Sequence, residues 1–251
     1  MESNFIFKHI KPDKSIDEFI EGFWMLRNIS GGEKPLVVLP DGRIDLFFSR
    51  SDTEPFHITL SGLETCPDEA TLASGTVMFA ISFKLPAMEY IIGISIANLL
   101  DTATYLPPGF WDFHEEDLRD FDLFCTKATE QIQSLLTKES DPRKQKLFEL
   151  IYSSNGSWSV QELSEQSFWS SRQINRYFNH QFGLSLKAYC NILRFRASFP
   201  DIKEGKLFPR ESFADQSHFI KEVKRLSGVS PKELNRNQNG RFIQFSSLPS
   251  K

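Results

Sequence analysis

Residues 212–231 read SFADQSHFIKEVKRLSGVSP, and their reading sets the character of the whole C-terminal part. Apolar side chains fall at Phe219, Ile220, Val223 and Leu226, one stripe at helical spacing. The other side carries Gln216, Ser217, Lys221, Lys224 and Arg225, with a single carboxylate at Glu222. Asp215 is a favoured N-cap type, and Gly228 is the residue type that ends helices in the left-handed conformation. The stretch therefore predicts an amphipathic helix between Asp215 and Gly228. Its apolar face needs only a core to pack on. Its outer face offers amides, hydroxyls and cations, the groups that bond to base edges and phosphates.

The region just upstream has the same logic. WSVQELSEQSFWSSRQINRYFNHQFGLSL (158–186) predicts a short helix from Val160 to about Gln166 and a turn at Ser167 to Trp169. A second helix comes next, from Ser171 to about Gln181, ended by Gly183. Ile174, Phe178 and Phe182 form its apolar face. Arg172, Gln173, Asn175, Arg176 and Asn179 are left outside, where Arg suits guanine and Asn or Gln suits adenine. Explicit start signals recur as SVQE (159–162), SSRQ (170–173) and SPKE (230–233), each of the form in which a hydroxyl and an acidic or amide side chain cap one another. A linker helix from about Leu186 to Phe199, ended by Pro200, separates the two units. The endings RYFNHQFGLSLKAY and EVKRLSGVSPKEL echo each other: a core residue, a polar stretch, Gly, an apolar residue, Ser and a new helix.

On these residues the chain resembles a family. LSEQSFWSSRQINRYFNHQFGLSLKAYCNILRFRA (163–197) and FADQSHFIKEVKRLSGVSPKEL (213–234) are similar to the DNA-binding domain of AraC/XylS-type transcriptional regulators. The second block, with its F-x-D-Q-S-H-F and G-V-S-P, is the more specific. WMLRN (24–28) followed by LVVLPDGRIDLFF (36–48) more faintly resembles the β-rich regulatory domain of some members. The resemblance implies two helix-turn-helix units reading adjacent major-groove segments of double-stranded DNA, with RNA polymerase as a partner. It places Arg172, Asn175 and Arg176 on base-contacting positions of the first reading helix, and Gln216, Ser217, His218 and Lys221 on those of the second. GKLFPRESFADQ (205–216) departs from the pattern: it lacks the alanine, has Ser212 where glycine is usual, and contains Pro209. A proline inside a helix costs roughly 3 kcal/mol, so the first helix of unit two is expected to be short or irregular.

The rest of the chain reads differently. FIFKHI, PLVVLP, RIDLFFS, FHITLSG and VMFAISFKL are short β-branched and aromatic runs, separated by Gly31-Gly32, Pro40-Asp41-Gly42 and Ser74-Gly75. An early helix is expected around Ile16 to Trp24. MEYIIGISIANLL (88–100) suits either a helix or a buried strand. His114 to Lys138 predicts one long helix with an apolar stripe, open to core packing or to a dimer contact, and Asp141-Pro142 starts the next. The resulting fold class is α+β with two domains: a β-rich N-terminal regulatory domain, then an all-α domain of two helix-turn-helix units joined by a linker helix. The divisions are 1–112 for sensing, 113–142 for a linker helix, 143–237 for DNA binding and 238–251 for a tail.

Charge supports the division. Residues 1–143 hold 12 Lys+Arg and 24 Asp+Glu, net −12, while residues 144–251 hold 17 and 9, net +8, which together give the chain's −4. A basic half can meet a polyanion. No apolar run approaches the roughly 18–20 residues of a membrane span, and the start MESNFIFKHIKPDKS does not read as a signal peptide. Three widely spaced cysteines fit reduced thiols, and a cytoplasmic protein is expected. The five histidines are isolated from one another and from cysteine at metal-ligand spacing, and no phosphate loop or nucleophile elbow is present. No enzyme activity, cofactor or metal is expected. Trp24, Arg43, Phe47 and Phe83 are candidate residues of a pocket for a small-molecule effector, and a homodimer is a candidate assembly.

Overall fold

The computed structural model describes residues 5–136, 141–206, 213, 215–237 and 240–247. They group into two compact units. The first takes the described parts of 1–35, 43–62 and 71–139, and the second those of 36–42, 63–70 and 140–251. The architecture is α+β, a β-rich first unit and a helical second one.

The strands are β1 (Phe5–Ile10), β2 (Ile20–Asn28), β3 (Lys34–Val38), β4 (Ile44–Arg50), β5 (His57–Ser61), β6 (Asp68–Leu72), β7 (Val77–Phe83) and β8 (Ala103–Tyr105). Six of them form an antiparallel sheet in the order β1-β2-β7-β4-β5-β8, and β3 pairs with β6 separately. Alternation in β4 shows why: Ile44, Leu46 and Phe48 are buried while Asp45 and Phe47 between them are half-exposed. Register then stacks like with like, Phe48 opposite both Phe79 and Ile58, and Leu46 opposite both Ile81 and Leu60. The helix α1 (Phe121–Leu135) covers this face. Phe124 lies 5.1 Å from Phe48 and 5.3 Å from Phe79, and Phe113 lies 4.7 Å from Phe48. Each of these rings, fully buried, stabilises the unit by roughly 1.5–3 kcal/mol.

Three expectations for this unit are corrected. Ile16 to Trp24 is not a helix: a turn closes at Ile16–Ile20, and β2 begins at Ile20. Strand pairing on both sides of β2, with β1 and β7, outweighs the helical spacing of Ile16, Phe19, Ile20 and Phe23. The helix from His114 to Lys138 is broken at Asp120. That residue is extended, and its carboxylate accepts from the Asp122 and Leu123 amides, so it caps a new helix rather than continuing the short 3₁₀ turn Glu115–Arg119. Residues 137–138 of that expectation lie outside the described residues. Met88–Leu100 is neither a regular helix nor a strand: a single π-type turn at Met88–Ile92 stops at left-handed Gly93, and a 3₁₀ turn comes next at Ala97–Leu99. The apolar stripe of α1 (Phe121, Phe124, Cys125, Ala128, Ile132) is buried against its own unit, while Leu123 on the outer side is 68% exposed.

The second unit contains α2 (Pro142–Ser153), α3 (Val160–Ser167), α4 (Ser171–Phe182), α5 (Leu186–Ala197), α6 (Phe199–Lys203), α7 (Gln216–Ser227), α8 (Pro231–Arg236) and α9 (Ile243–Ser247). As the sequence predicts, Asp141 caps α2, with Pro142 in its first turn. Pro200 does not end the linker helix. The break falls at Ser198, and Pro200 sits in the first turn of the short α6, where a missing N–H costs nothing. Pro209, Ser212 and most of the irregular segment expected around them lie outside the described residues.

Two segments from the N-terminal part of the sequence belong to this helical unit. Val37 donates from its amide to Arg241 O at 2.7 Å and bridges to Phe242 in parallel. The Gln244 side chain takes both backbone groups of Leu39, accepting from its N–H at 3.1 Å and donating to its carbonyl at 2.9 Å. The Tyr189 hydroxyl of α5 donates to Gly42 O at 3.0 Å. Phe242 and Phe245 are buried, the latter 4.9 Å from Phe199. The tail after α8 thus has a place, pressed between 36–42 and the helices.

Gly42 has φ +77, and a Cβ there would meet Leu193 Cδ2 at 2.9 Å and Tyr189 Cε2 at 3.2 Å. Gly31 has φ +70 with nothing within 4 Å. Gly42→Ala should therefore cost more than the roughly 1–3 kcal/mol of left-handed strain alone, and Gly31→Ala only that strain. Urea unfolding of both variants checks this. Equal losses would mean that Leu193 moves aside freely.

Candidate nucleic-acid interface

The helix α4 is fixed at both ends. Upstream, α3 is closed by a reciprocal cap in which Ser159 accepts from the Glu162 amide at 3.2 Å and Glu162 accepts from the Ser159 amide at 2.7 Å. It stops at Phe168, which adopts left-handed φ 53, ψ 36. An L-residue there costs roughly 1–2 kcal/mol. Ser170 and Gln173 repeat the reciprocal cap for α4. Inside α4, Ile174, Phe178 and Phe182 are fully buried, and left-handed Gly183 ends the helix. Phe148 of α2 packs 5.9 Å from Phe178 and 6.3 Å from Phe182, which anchors the apolar face.

The helix α7 repeats this frame with a one-way cap. Asp215 accepts from the His218 amide at 2.8 Å to cap α7, whose Phe219, Val223 and Leu226 are buried, and left-handed Gly228 ends it. Both helices have 12 residues. In both, the residue after the closing glycine is apolar and the next is a serine, Ser185 or Ser230, that caps the succeeding helix. The echo read in the endings therefore extends over both whole helices, in register from N-cap to next N-cap.

The candidate contacts differ in how they are presented. Arg172 and Arg176 are exposed on α4, as are Gln216, Ser217 and Lys221 on α7. Gln173 is exposed, but its amide oxygen is occupied by the Ser170 hydroxyl at 2.7 Å. Asn175 is half-buried and donates its amide to Ser171 O at 3.0 Å. His218 is half-buried and turned towards Phe213, with ring centroids 5.8 Å apart and its Nδ1 shut from solvent without a hydrogen-bond partner among the described residues. Arg225 pairs with Glu222 at 2.9 Å on the flank of α7.

In the first unit the sheet brings Trp24 and Phe47 together. Both stand opposite Ala80, on one face, with ring centroids 5.7 Å apart. Trp24 Nε1 donates to Ser82 Oγ at 3.1 Å, and Ser82 in turn donates to the Asp45 carboxylate. Sequence reasoning did not name Ser82. The period of two puts Asp45 on one face with Phe47 in β4, and register puts Ser82 opposite Asp45. Phe83 is three residues from Ala80 and so faces the other way, where it is fully buried, 6.2 Å from Trp111. Arg43 immediately precedes β4 and is half-buried.

Among the described residues no group of three or more His, Cys, Asp or Glu is placed to hold a metal ion. None of the three cysteines is in a disulfide, and burial pushes the Cys125 and Cys190 thiols up to about 12, which keeps them protonated. Among the described residues no helix is long and apolar enough to cross a membrane.

Among known families, the one described as Domain of unknown function (DUF6597) matches residues 8–104. No match to a curated protein is found. Among solved structures, ToxT from Vibrio cholerae is similar at a TM-score of 0.45 and 11% identity, covering 92% of this chain and 97% of that one. ToxT from Vibrio cholerae O395 gives 0.46 and 10%, covering 94% and 99%. Unsaturated fatty acid bound wild-type ToxT from strain SCE256 gives 0.40 and 12%, covering 96% and 99%. At these identities the functional reading rests on the chain's own residues.

The caps also titrate. The backbone amide of Ser159 holds Glu162 below the usual carboxylate range, and the Ser230 hydroxyl holds Glu233 below it. A lowered folded pKa gives stability that is present above the unfolded value, about 4.3, and lost as pH falls through the folded one. Glu162→Gln/Glu233→Gln should keep the caps but lose less stability than the parent between about pH 5 and 3. Urea midpoints at the two pH values measure it, and parallel slopes would count against the capping account.

Proposed function

We propose that this chain is a sequence-specific DNA-binding transcriptional regulator of AraC/XylS type. The observation that carries the reading is the pair α4 and α7. Two 12-residue helices, each with an N-cap side chain that accepts from the third helical amide, a closing left-handed glycine and a buried apolar stripe, leave cations and polar groups facing out. A turn and a preceding helix lead into α4, the arrangement in which a second helix enters a major groove. Arg172 and Arg176 on α4 and Gln216, Ser217 and Lys221 on α7 are the reading residues. Gln173, Asn175 and His218 join them only by releasing their present hydrogen bonds or packing. Lysine and arginine neutralise phosphates and set affinity, while the outward guanidiniums and amides select sequence.

Regulation belongs to the first unit. The Trp24–Phe47 pair beside Ser82 and Asp45 supports a small-molecule effector, since aromatic walls with a few convergent polar groups are what such sites use. A second copy of the chain would pair through the outer side of α1 around exposed Leu123. RNA polymerase is the partner that regulation of transcription requires.

Selection from a random duplex library tests the reading, with the full chain at about 150 mM salt and excess competitor DNA. The expected result is a motif of two boxes about one helical turn apart. Arg172→Ala and Gln216→Ala should each relax a different box. Recovery of no motif would sink the reading and leave the helical unit to a protein partner.

A further inference from the structure

Phe168 combines two unfavourable features in one residue. Its ring is 88% exposed, the most of any described large apolar side chain, and its backbone is left-handed. Glycine would relieve the strain and remove the wet ring. The turn therefore gains nothing for its own fold from phenylalanine. Its neighbour Trp169 does the packing: it is 9% exposed, with its ring 5.3 Å from Tyr177 and the Arg143 guanidinium 5.6 Å away.

The second unit supplies an internal control. Phe213 stands two residues before the N-cap Asp215, as Phe168 stands two before the N-cap Ser170. Phe213 is used within the fold. Its ring lies 5.0 Å from Phe219 and 5.8 Å from His218, with the Arg194 guanidinium 5.8 Å from its centre. Two aromatic residues at the same distance ahead of two matched helices thus have opposite fates, one packed and one held out.

The place of the ring decides its possible partners. It lies in the turn that delivers the N-terminus of α4, four residues before exposed Arg172, on a basic body. A major groove offers one apolar group, the C5-methyl of thymine, and an aromatic ring is among the side chains that contact it. Resting on the DNA-binding reading above, we infer that Phe168 is a specificity-determining residue. Its ring makes an apolar contact with a thymine methyl at the edge of the box that α4 reads.

The test compares the full-length parent with Phe168→Gly and Phe168→Leu by thermal melting, duplex selection and affinity for the selected site. Phe168→Gly should melt at or above the parent, yet bind about tenfold more weakly and lose a thymine preference at one position of one box. Phe168→Leu, which keeps an apolar side chain, should retain most of the preference. Replacing that thymine by deoxyuridine removes only the methyl; it should weaken the parent and leave Phe168→Gly unaffected. If the parent selects no DNA, this inference falls with the reading beneath it. If the parent selects a motif that Phe168→Gly binds equally well, the inference alone falls and the ring is left for a protein surface. Loss of affinity with an unchanged motif, or a lower melting point for Phe168→Gly, would likewise overturn it.

Discussion

A phenol hydroxyl cannot be buried without a hydrogen-bond partner, and the second unit is organised around one. Tyr189, the fourth residue of α5, is fully buried. Its hydroxyl reaches Gly42 O at 3.0 Å and Tyr152 at the end of α2 at 3.2 Å. Its ring lies 5.9 Å from Phe178 of α4. Leaving such a hydroxyl unsatisfied would cost roughly 1–3 kcal/mol. One side chain therefore ties the connecting helix to α2, to α4 and to a segment far away in sequence. With its apolar face held against this body, α4 keeps its polar face outward.

The helical unit was the more legible in sequence, and the reason is local. Caps and left-handed glycines act within four residues of the groups they satisfy, so SVQE, SSRQ and SPKE announced α3, α4 and α8 where they occur. Where structure depends on distant pairing, spacing misled. Ile16, Phe19, Ile20 and Phe23 have helical periodicity, but β2 has neighbours on both sides and becomes a strand. The run from His114 has a continuous apolar stripe, yet one carboxylate, Asp120, divides it. The tail's partners were not legible because Val37 and Leu39 lie 205 residues earlier in the chain.

For the candidate site, residue type was legible and presentation was not. The outward positions of α4 and α7 come from period alone, and Arg172, Arg176, Gln216, Ser217 and Lys221 are exposed as that period requires. Gln173 and His218 share the same helix faces, but the first is drawn into its own cap and the second leans on Phe213. Such diversions depend on rotamers and on neighbours outside the helix. Phe168 shows the same limit in reverse, since nothing in SFWS distinguishes the ring that turns in from the ring that stays out.

The union of 36–42 with the C-terminal tail also sets an order of events in synthesis. Leu39 and Gln244 are 205 residues apart, so at about 5–20 residues per second the ribosome needs on the order of 10–40 s to deliver the second after the first. During that interval the backbone groups of Val37 and Leu39 lack their eventual partners. This part of the helical unit is thus closed only once Arg241 to Gln244 have been made. A chain cut short before Phe242 would present an open edge at β3 and an uncovered apolar seat for Phe245, the features that a degradation machinery recognises as unfinished.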